Sequence, residues 1–157
     1  MLGWFKSPPF HDPQLGTLTR KAGCWRGAIT FASDSAACVP LTLCGTRTEP
    51  DVEALSAART LIVDFETLRS TVAEALFGHY GPYADEADTD ELPVALRIDG
   101  PSDVWPHVSL VFVSVVPLEG RLTTEFGYRA TWDDEHTLGV RFRSGTFLKL
   151  CGSVLDP

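Results

Sequence analysis

The alternation of apolar and polar positions predicts β-strands at both ends of the chain. From Cys24 to Phe31 the large apolar side chains fall on every second residue, which is the spacing of residues on one face of a strand. Pro40 lies inside the next such run and favours an edge strand, because proline has no N–H to donate to a sheet ladder. The predicted strands are residues 15–19, 24–31, 38–44, 108–116, 122–132, 138–143 and 147–154.

The middle of the chain has helical periodicity instead. Apolar residues from Leu55 to Leu76 recur at spacings of three and four, so they form one stripe of an amphipathic helix. Thr48 suits the N-cap, and Pro50 suits the first turn, where no N–H is needed. Gly78 or Gly81 is expected to end the helix, which gives it a length on the order of 40 Å.

Strands, one long helix and a second group of strands predict a fold of the α+β class. We expect a mostly antiparallel sheet of about six to seven strands, with the amphipathic helix packed on it. Residues 108–116 are apolar on both faces and predict a central strand. The 157 residues fit a single domain, residues 1–157, that is large enough to bury its own core.

The hairpin in residues 126–142 contains the segment that most suggests chemistry. Pairing Trp132 with Leu138 buries the apolar side chains of both arms and leaves residues 133–137 as a five-residue connection. Its first four residues are Asp133, Asp134, Glu135 and His136. Such groups suit a divalent metal or a general base. Four consecutive side chains in a tight connection diverge, however, and aspartate also stabilises turns. We therefore interpret the segment as a turn or a recognition surface.

The same register predicts a cluster of like charges on the other face of the sheet. Arg129 falls opposite Arg141, and Arg141 falls opposite Lys149, with Arg143 nearby. Like charges across a ladder are unfavourable by up to about 1 kcal/mol, so an anionic neighbour is expected. A surface charge network that includes Glu125 is our interpretation. A bound phosphate or other acidic ligand is the alternative.

Acidic residues are concentrated in the middle third of the chain. The net charge is −8, while residues 49–103 alone carry a net charge of −10. The densest part is an acidic loop predicted at residues 85–91, which lacks the glycine and the ligand spacing of an EF-hand. Such a surface repels nucleic acid and attracts a basic protein.

Other common site motifs are missing from the sequence. Cys24, Cys38, Cys44 and Cys151 form no C-x-x-C pair and have no histidine at zinc-finger spacing. We expect buried reduced thiols, with a zinc or redox site as the alternative. Neither a G-x-S-x-G motif nor a glycine-rich phosphate loop is present. We predict no catalytic residue, no resident metal and no cofactor.

The hydropathy of the chain predicts a cytoplasmic protein. Its most apolar stretch, residues 108–118, has the length of a strand and not of a membrane span. The first ten residues lack the basic start and apolar core of a secretory signal. We therefore expect no membrane partner.

Two stretches of the sequence resemble known protein groups. The segments DPQLGTL (residues 12–18) and WRGAITF (25–31) are similar to the opening of a group of uncharacterised small bacterial proteins. The segment WDDEHTLG (132–139) is similar to a hairpin that closes related domains of unknown function. The resemblance covers about a third of the chain. It implies an immunity protein, a small acidic partner that neutralises a bacterial toxin.

The leading functional hypothesis is therefore a non-enzymatic binding protein that occludes a cognate toxin through an acidic surface. The expected contacts are Asp85, Glu86, Asp88, Asp90, Glu91, Asp133, Asp134, Glu135 and the aromatic anchor Trp105, with Tyr83 as a further aromatic candidate. Charge complementarity would mainly accelerate capture of a basic partner. The alternatives are a metal-dependent hydrolytic enzyme centred on His136, and a structural module whose sheet edge pairs with itself.

Overall fold

The fold is an eight-stranded sheet with one long helix packed on it. A computed structural model describes residues 6–32, 34–87 and 97–157. The strands follow one another across the sheet in chain order. The elements are β1 (Phe10–Asp12), β2 (Gly16–Lys21), β3 (Cys24–Phe31), β4 (Asp34–Leu43), α1 (Val52–Glu86), a 3₁₀ helix (Pro101–His107), β5 (Val108–Leu118), β6 (Arg121–Ala130), β7 (Asp133–Arg143) and β8 (Thr146–Val154). The predicted α+β class is confirmed, with one strand more than the predicted range.

All neighbouring strands are antiparallel except β4 and β5. These two pair in parallel through Leu41–Val113, Thr42–Ser114 and Leu43–Val115. A parallel pair needs a long crossover connection, and α1 lies in that connection. Pro40 pairs with Ala28 of β3 but lies outside the short β4–β5 ladder. Its missing N–H is therefore tolerated in a strand that is interior in the sheet order.

The helix begins later and ends later than the sequence predicts. Asp51 is its N-cap, and Oδ1 of Asp51 accepts a 2.9 Å hydrogen bond from the backbone N–H of Ala54. The helix then runs without interruption past Gly78, Gly81 and Pro82 to Glu86. The predicted N-cap at Thr48 and the predicted end at a glycine are both wrong. At about 1.5 Å per residue the helix is roughly 50 Å long.

Helix α1 continues past its glycines because it still has a core to cover. Tyr80 lies beyond Gly78 and is 6% exposed. Farther back along the helix, Phe65 stacks on Phe31 with ring centroids 4.1 Å apart and contacts Phe126 at 5.3 Å. Burial of large side chains along most of its length outweighs the cost of about 1 kcal/mol for each helical glycine. Among the described residues, no helix is both long enough and apolar enough to cross a membrane.

The register between β6 and β7 differs from the predicted one. Tyr128 pairs with Leu138 and Phe126 pairs with Val140, whereas the sequence predicted Trp132 opposite Leu138. The strands are joined by a two-residue turn at residues 131–132, not by a five-residue connection. The apolar residues keep the predicted face because the slip is an even number of residues.

The residues that were predicted to form the connection are instead a large bulge in β7. Ala130 pairs with Asp133, and the next pair along the ladder is Tyr128 with Leu138. Residues 134–137 of β7 therefore lie opposite Arg129 alone. A bulge of this kind pushes its side chains away from the regular pleat. The acidic segment thus protrudes beside the tight turn.

Strand β8 forms one edge of the sheet and carries two bulges. Its register shifts between Thr137 and Gly139 of β7, and again between Arg141 and Phe142. Lys149 is exposed on the same strand. Bulges and lysines on an edge strand oppose pairing between sheet edges. These features disfavour the hypothesis that this edge pairs with a second copy of the chain.

Candidate partner-binding site

The end of helix α1 and the β7 bulge meet through one hydrogen bond. The hydroxyl of Tyr83, in the last turn of α1, donates to Oδ2 of Asp133 at 2.9 Å. Tyr83 is 37% exposed, whereas Asp133 is 6% exposed. This contact brings together the two acidic segments that the sequence separates.

Asp133 supports the bulge from inside and does not face solvent. Its Oδ1 accepts from the backbone N–H of His136 at 3.2 Å and lies 2.9 Å from Nδ1 of the same residue. Burial alone would raise the pKa of Asp133. The hydrogen bonds from His136 and Tyr83 outweigh burial and hold this pKa below its usual value. Asp133, one of the predicted partner contacts, is thus buried and positions the bulge through these hydrogen bonds.

The two-residue turn before Asp133 is fixed by a second contact to the helix. Nε1 of Trp132 donates to Nδ1 of His79 at 3.0 Å. An indole N–H can only donate, so Nδ1 of His79 carries no proton in this arrangement. Burial lowers the pKa of His79, the charge of Asp133 opposes this shift, and the charge of His136 adds to it. The folded state therefore favours the neutral form of His79.

Four exposed carboxylates follow Tyr83 and Asp133 along the two segments that this contact joins. We call them the acidic rim: Asp85, Glu86, Asp134 and Glu135. The hydrogen bond to Asp133 raises the pKa of Tyr83, as does burial, and the charges of Asp133, Glu86 and Glu135 raise it further. The two segments therefore share one electrostatic environment. No rim carboxylate has an ion-pair partner among the described residues.

The rim lies where acidic groups are unfavourable for helix stability. The last turn of α1 contains Asp85 and Glu86 but no basic residue. The C-terminal end of a helix carries the negative end of its dipole, so cations are preferred there. Local choices that oppose stability often mark functional surfaces.

The other predicted contact residues fall into two groups. Asp88, Asp90 and Glu91 lie outside the described residues. Trp105 lies in the 3₁₀ helix and is half-buried beneath Arg69, whose guanidinium is 4.3 Å from the ring centroid. Arg69 precedes Tyr83 by fourteen residues of α1, or about 21 Å of helix. Trp105 therefore lies away from the acidic rim, and Tyr83 is the aromatic residue within it.

The arginine cluster on the other face of the sheet is neutralised internally. Arg141 pairs with Glu125, which is 6% exposed, and these residues face each other across β6 and β7. Arg143 lies 3.6 Å from Glu119 and donates to the backbone oxygen of Leu118. The predicted pairing of Arg129 with Arg141 is wrong, while the pairing of Arg141 with Lys149 is confirmed. The expected charge network with Glu125 is confirmed.

The structure also bears on the metal and thiol alternatives. Within the described residues, no three His, Cys, Asp or Glu side chains group in a way that could hold a metal ion. All four cysteines are free. Cys38 is exposed and the others are half-buried, so the expectation that the four thiols are buried is wrong.

Comparison with known proteins places the chain in a family without an assigned activity. A family model described as a domain of unknown function, DUF6985, matches residues 14–153. The chain belongs to the DUF6985 family. No curated protein and no solved structure matches it significantly.

The region matched by the DUF6985 model contains the whole candidate site. Tyr83, Asp133 and all four residues of the acidic rim lie between positions 14 and 153. The predicted membership in a family of unknown function is thus confirmed. The family description names no partner, and the acidic rim is the feature of this chain that suggests one.

Proposed function

We propose that this DUF6985 domain is a non-enzymatic binding protein that captures a basic protein through the acidic rim. The hydrogen bond between Tyr83 and Asp133 carries the proposal, because it fixes two separate acidic segments around one exposed aromatic ring. The four rim carboxylates, which have no ion-pair partner among the described residues, create a local negative field that a basic surface can neutralise.

The rim combines the two features that binding to a basic protein needs. Its charges accelerate encounter, since electrostatic steering acts mainly on the association rate. Tyr83 supplies a ring that is 37% exposed and held in place by Asp133. Tyrosine is enriched among the few residues that dominate binding energy. We therefore assign Tyr83 as the anchor at the centre of the contact.

We further propose that the partner is a cognate bacterial toxin and that the protein acts as its immunity protein in the cytoplasm. The WDDEHTLG segment resembles a hairpin of related domains of unknown function, and such groups are suspected to include immunity proteins; this resemblance and the acidic middle of the sequence support the assignment. The toxin would present a basic surface to the rim. Binding would block that surface directly.

Charge reversal tests the contact. The variant Glu86→Lys with Glu135→Lys is compared with Asp64→Lys with Glu74→Lys, which makes the same change in net charge at exposed positions elsewhere on α1. Each is co-expressed with the product of the adjacent gene, and growth rescue and co-purification are scored. We expect the rim variant to lose growth rescue and co-purification, and the control variant to keep them.

The salt dependence of association gives a second readout. Raising ionic strength should slow association of the wild type and of the control variant, because screening weakens steering between exposed charges. It should have much less effect on the rim variant. Equal rescue and equal salt dependence in all three proteins would contradict the rim as the contact surface.

One observation favours a second candidate, a hydrolytic enzyme that uses His136 as a general base. Asp133 holds Nδ1 of His136 at 2.9 Å, and the His136 side chain is 44% exposed. A carboxylate that orients an imidazole in this way is a feature of general-base catalysis. Metal analysis of the purified protein and a His136→Ala variant in the rescue assay discriminate the two candidates. The enzyme hypothesis is excluded if His136→Ala still rescues growth fully and the purified protein contains no bound metal.

A further inference from the structure

Two cysteines lie side by side at one end of the β3–β4 pair. Cys24 is the first residue of β3, and Cys44 directly follows the last residue of β4. The ladder between these strands pairs Arg26 with Thr42 and Trp25 with Leu43. One further step in the same register brings Cys24 opposite Cys44. Both thiols are free and half-buried. This juxtaposition is independent of the acidic rim.

The backbone hydrogen bonds of both cysteines point away from the space between them. Lys21 and Cys24 flank a two-residue turn whose residues Ala22 and Gly23 have φ values of 52° and 83°. In a turn of this type the flanking residues bond to each other, so the polar backbone groups of Cys24 face β2.

Cys44 is turned toward its other neighbours in the same way. Its N–H donates to the backbone oxygen of Val115 in β5 at 3.2 Å, and its carbonyl accepts from the N–H of Asp51 at 2.9 Å. Cys24 and Cys44 thus form a non-hydrogen-bonded pair, in which Cα atoms lie about 4.5 Å apart. A disulfide can span that separation, which is at the short end of its range.

We propose that Cys24 and Cys44 are a redox modification site that forms a reversible cross-strand disulfide. The oxidant is a small disulfide such as oxidised glutathione. Formation of the bond would tie the start of β3 to the end of β4, next to the N-cap of α1. The bond is reversible by thiol–disulfide exchange, in which a thiolate attacks one of its two sulfurs.

The electrostatics of the pair assign a role to each thiol. Burial raises the pKa of Cys44, and the charges of Asp51 and Cys24 raise it further. Since the thiolate is the nucleophile, these surroundings disfavour Cys44 as the first attacker, and the first step is assigned to Cys24. Its sulfur displaces one glutathione as a thiolate and forms a mixed disulfide. Cys44 then loses its proton, attacks the Cys24 sulfur and releases the second glutathione. Two protein thiols are oxidised and one glutathione disulfide becomes two thiols.

Peptide mapping after oxidation tests the proposal on the folded chain. A Cys38→Ser variant is used, because trypsin otherwise leaves Cys38 and Cys44 in one peptide, residues 27–47. After treatment with oxidised glutathione, we expect residues 22–26 to be linked to residues 27–47. Reduced glutathione should release them. Persistent free thiols at both positions, or a link to Cys151, would overturn the proposal.

A second variant separates the roles of the two cysteines and controls for folding. Adding Cys44→Ser to the Cys38→Ser chain should abolish the link and leave Cys24 as a glutathione mixed disulfide, because the resolving thiol is gone. Circular dichroism and thermal unfolding confirm that both variants are folded. If the double variant still forms a linked product that contains residues 22–26, or if its Cys24 remains a free thiol, the assigned roles are wrong.

Discussion

The hydroxyl of Tyr83 donates a 2.9 Å hydrogen bond to the carboxylate of Asp133, fifty positions later in the chain. This bond attaches the last turn of α1 to the bulge in β7. One side of the contact is the buried carboxylate, and the other is a ring that is 37% exposed. The contact is therefore both a structural tie and the centre of the acidic rim.

Removal of the Tyr83 hydroxyl should destabilise the fold. In Tyr83→Phe the carboxylate of Asp133 loses one of its hydrogen bonds while it stays buried. Hydrogen bonds to charged groups contribute about 1.5–3 kcal/mol, so we expect a loss of about 1–2 kcal/mol at this partly exposed position. Urea unfolding at neutral pH measures the change.

The matched control is the same substitution at Tyr128. Its hydroxyl is buried and has no hydrogen-bond partner among the described residues, and burial raises the pKa of Tyr128. Because an unpaired buried hydroxyl is unfavourable, Tyr128→Phe should be neutral or should stabilise the fold by about 1 kcal/mol. Equal losses from both substitutions would show that the Tyr83 bond has no special role.

Mild acid should weaken the attachment of the turn through His79. The pKa of His79 is lowered in the folded state, so the unfolded chain binds more protons below the ordinary value of about 6.5. The contribution of His79 to the free energy of unfolding is complete above about pH 6.5. It declines as the pH falls toward the lower pKa of the folded state.

The measurement is the free energy of unfolding as a function of pH, combined with NMR titration of the His79 ring. Protonation removes the acceptor for Nε1 of Trp132, so the Trp132 indole N–H signal should shift in parallel. A His79→Gln variant should lose this component of the pH dependence. A folded-state pKa of His79 above 6.5 would reverse the expected sign.

Loss of the buried Glu125 carboxylate should be costly. Arg141 pairs with it, and the two side chains are only 17% and 7% exposed. Removing one partner leaves the other charge buried and unpaired, so Glu125→Ala should cost about 3 kcal/mol. Glu119→Ala removes a carboxylate that is 66% exposed and pairs with Lys149. It should cost far less, because exposed ion pairs contribute little to stability. Chemical denaturation of both variants checks the difference.

Substitution of Gly78 tests the uninterrupted helix. Gly78 is exposed inside α1, and an added Cβ would meet no atom within 4 Å. Gly78→Ala should therefore raise the free energy of unfolding by about 0.5–1 kcal/mol, which thermal unfolding measures. Gly120 has equal space but a φ of 75°, so Gly120→Ala should destabilise the fold. A destabilising Gly78→Ala would indicate that the helix ends near this glycine.

Local pattern predicted the elements because strand and helix periods are local properties. The alternation from Cys24 to Phe31 predicts the same bounds that β3 has in the structure. The apolar stripe from Leu55 to Leu76 lies within α1. The free energy of burying these faces depends on which residues are apolar, and the positions of the apolar residues can be read directly from the sequence. It therefore determined the α+β class, the central position of β5 and the acidic character of the middle of the chain.

Tertiary structure decided the register of the hairpin, the end of the helix and the composition of the site. A slip of an even number of residues keeps every side chain on its face, so alternation could not choose between Trp132 and Tyr128 as the partner of Leu138. Gly78 did not end α1, because Tyr80 beyond it is buried against the core. Asp133 and Tyr83 are brought together only when the helix docks on the sheet. No periodicity records that contact, since it depends on how two distant elements pack.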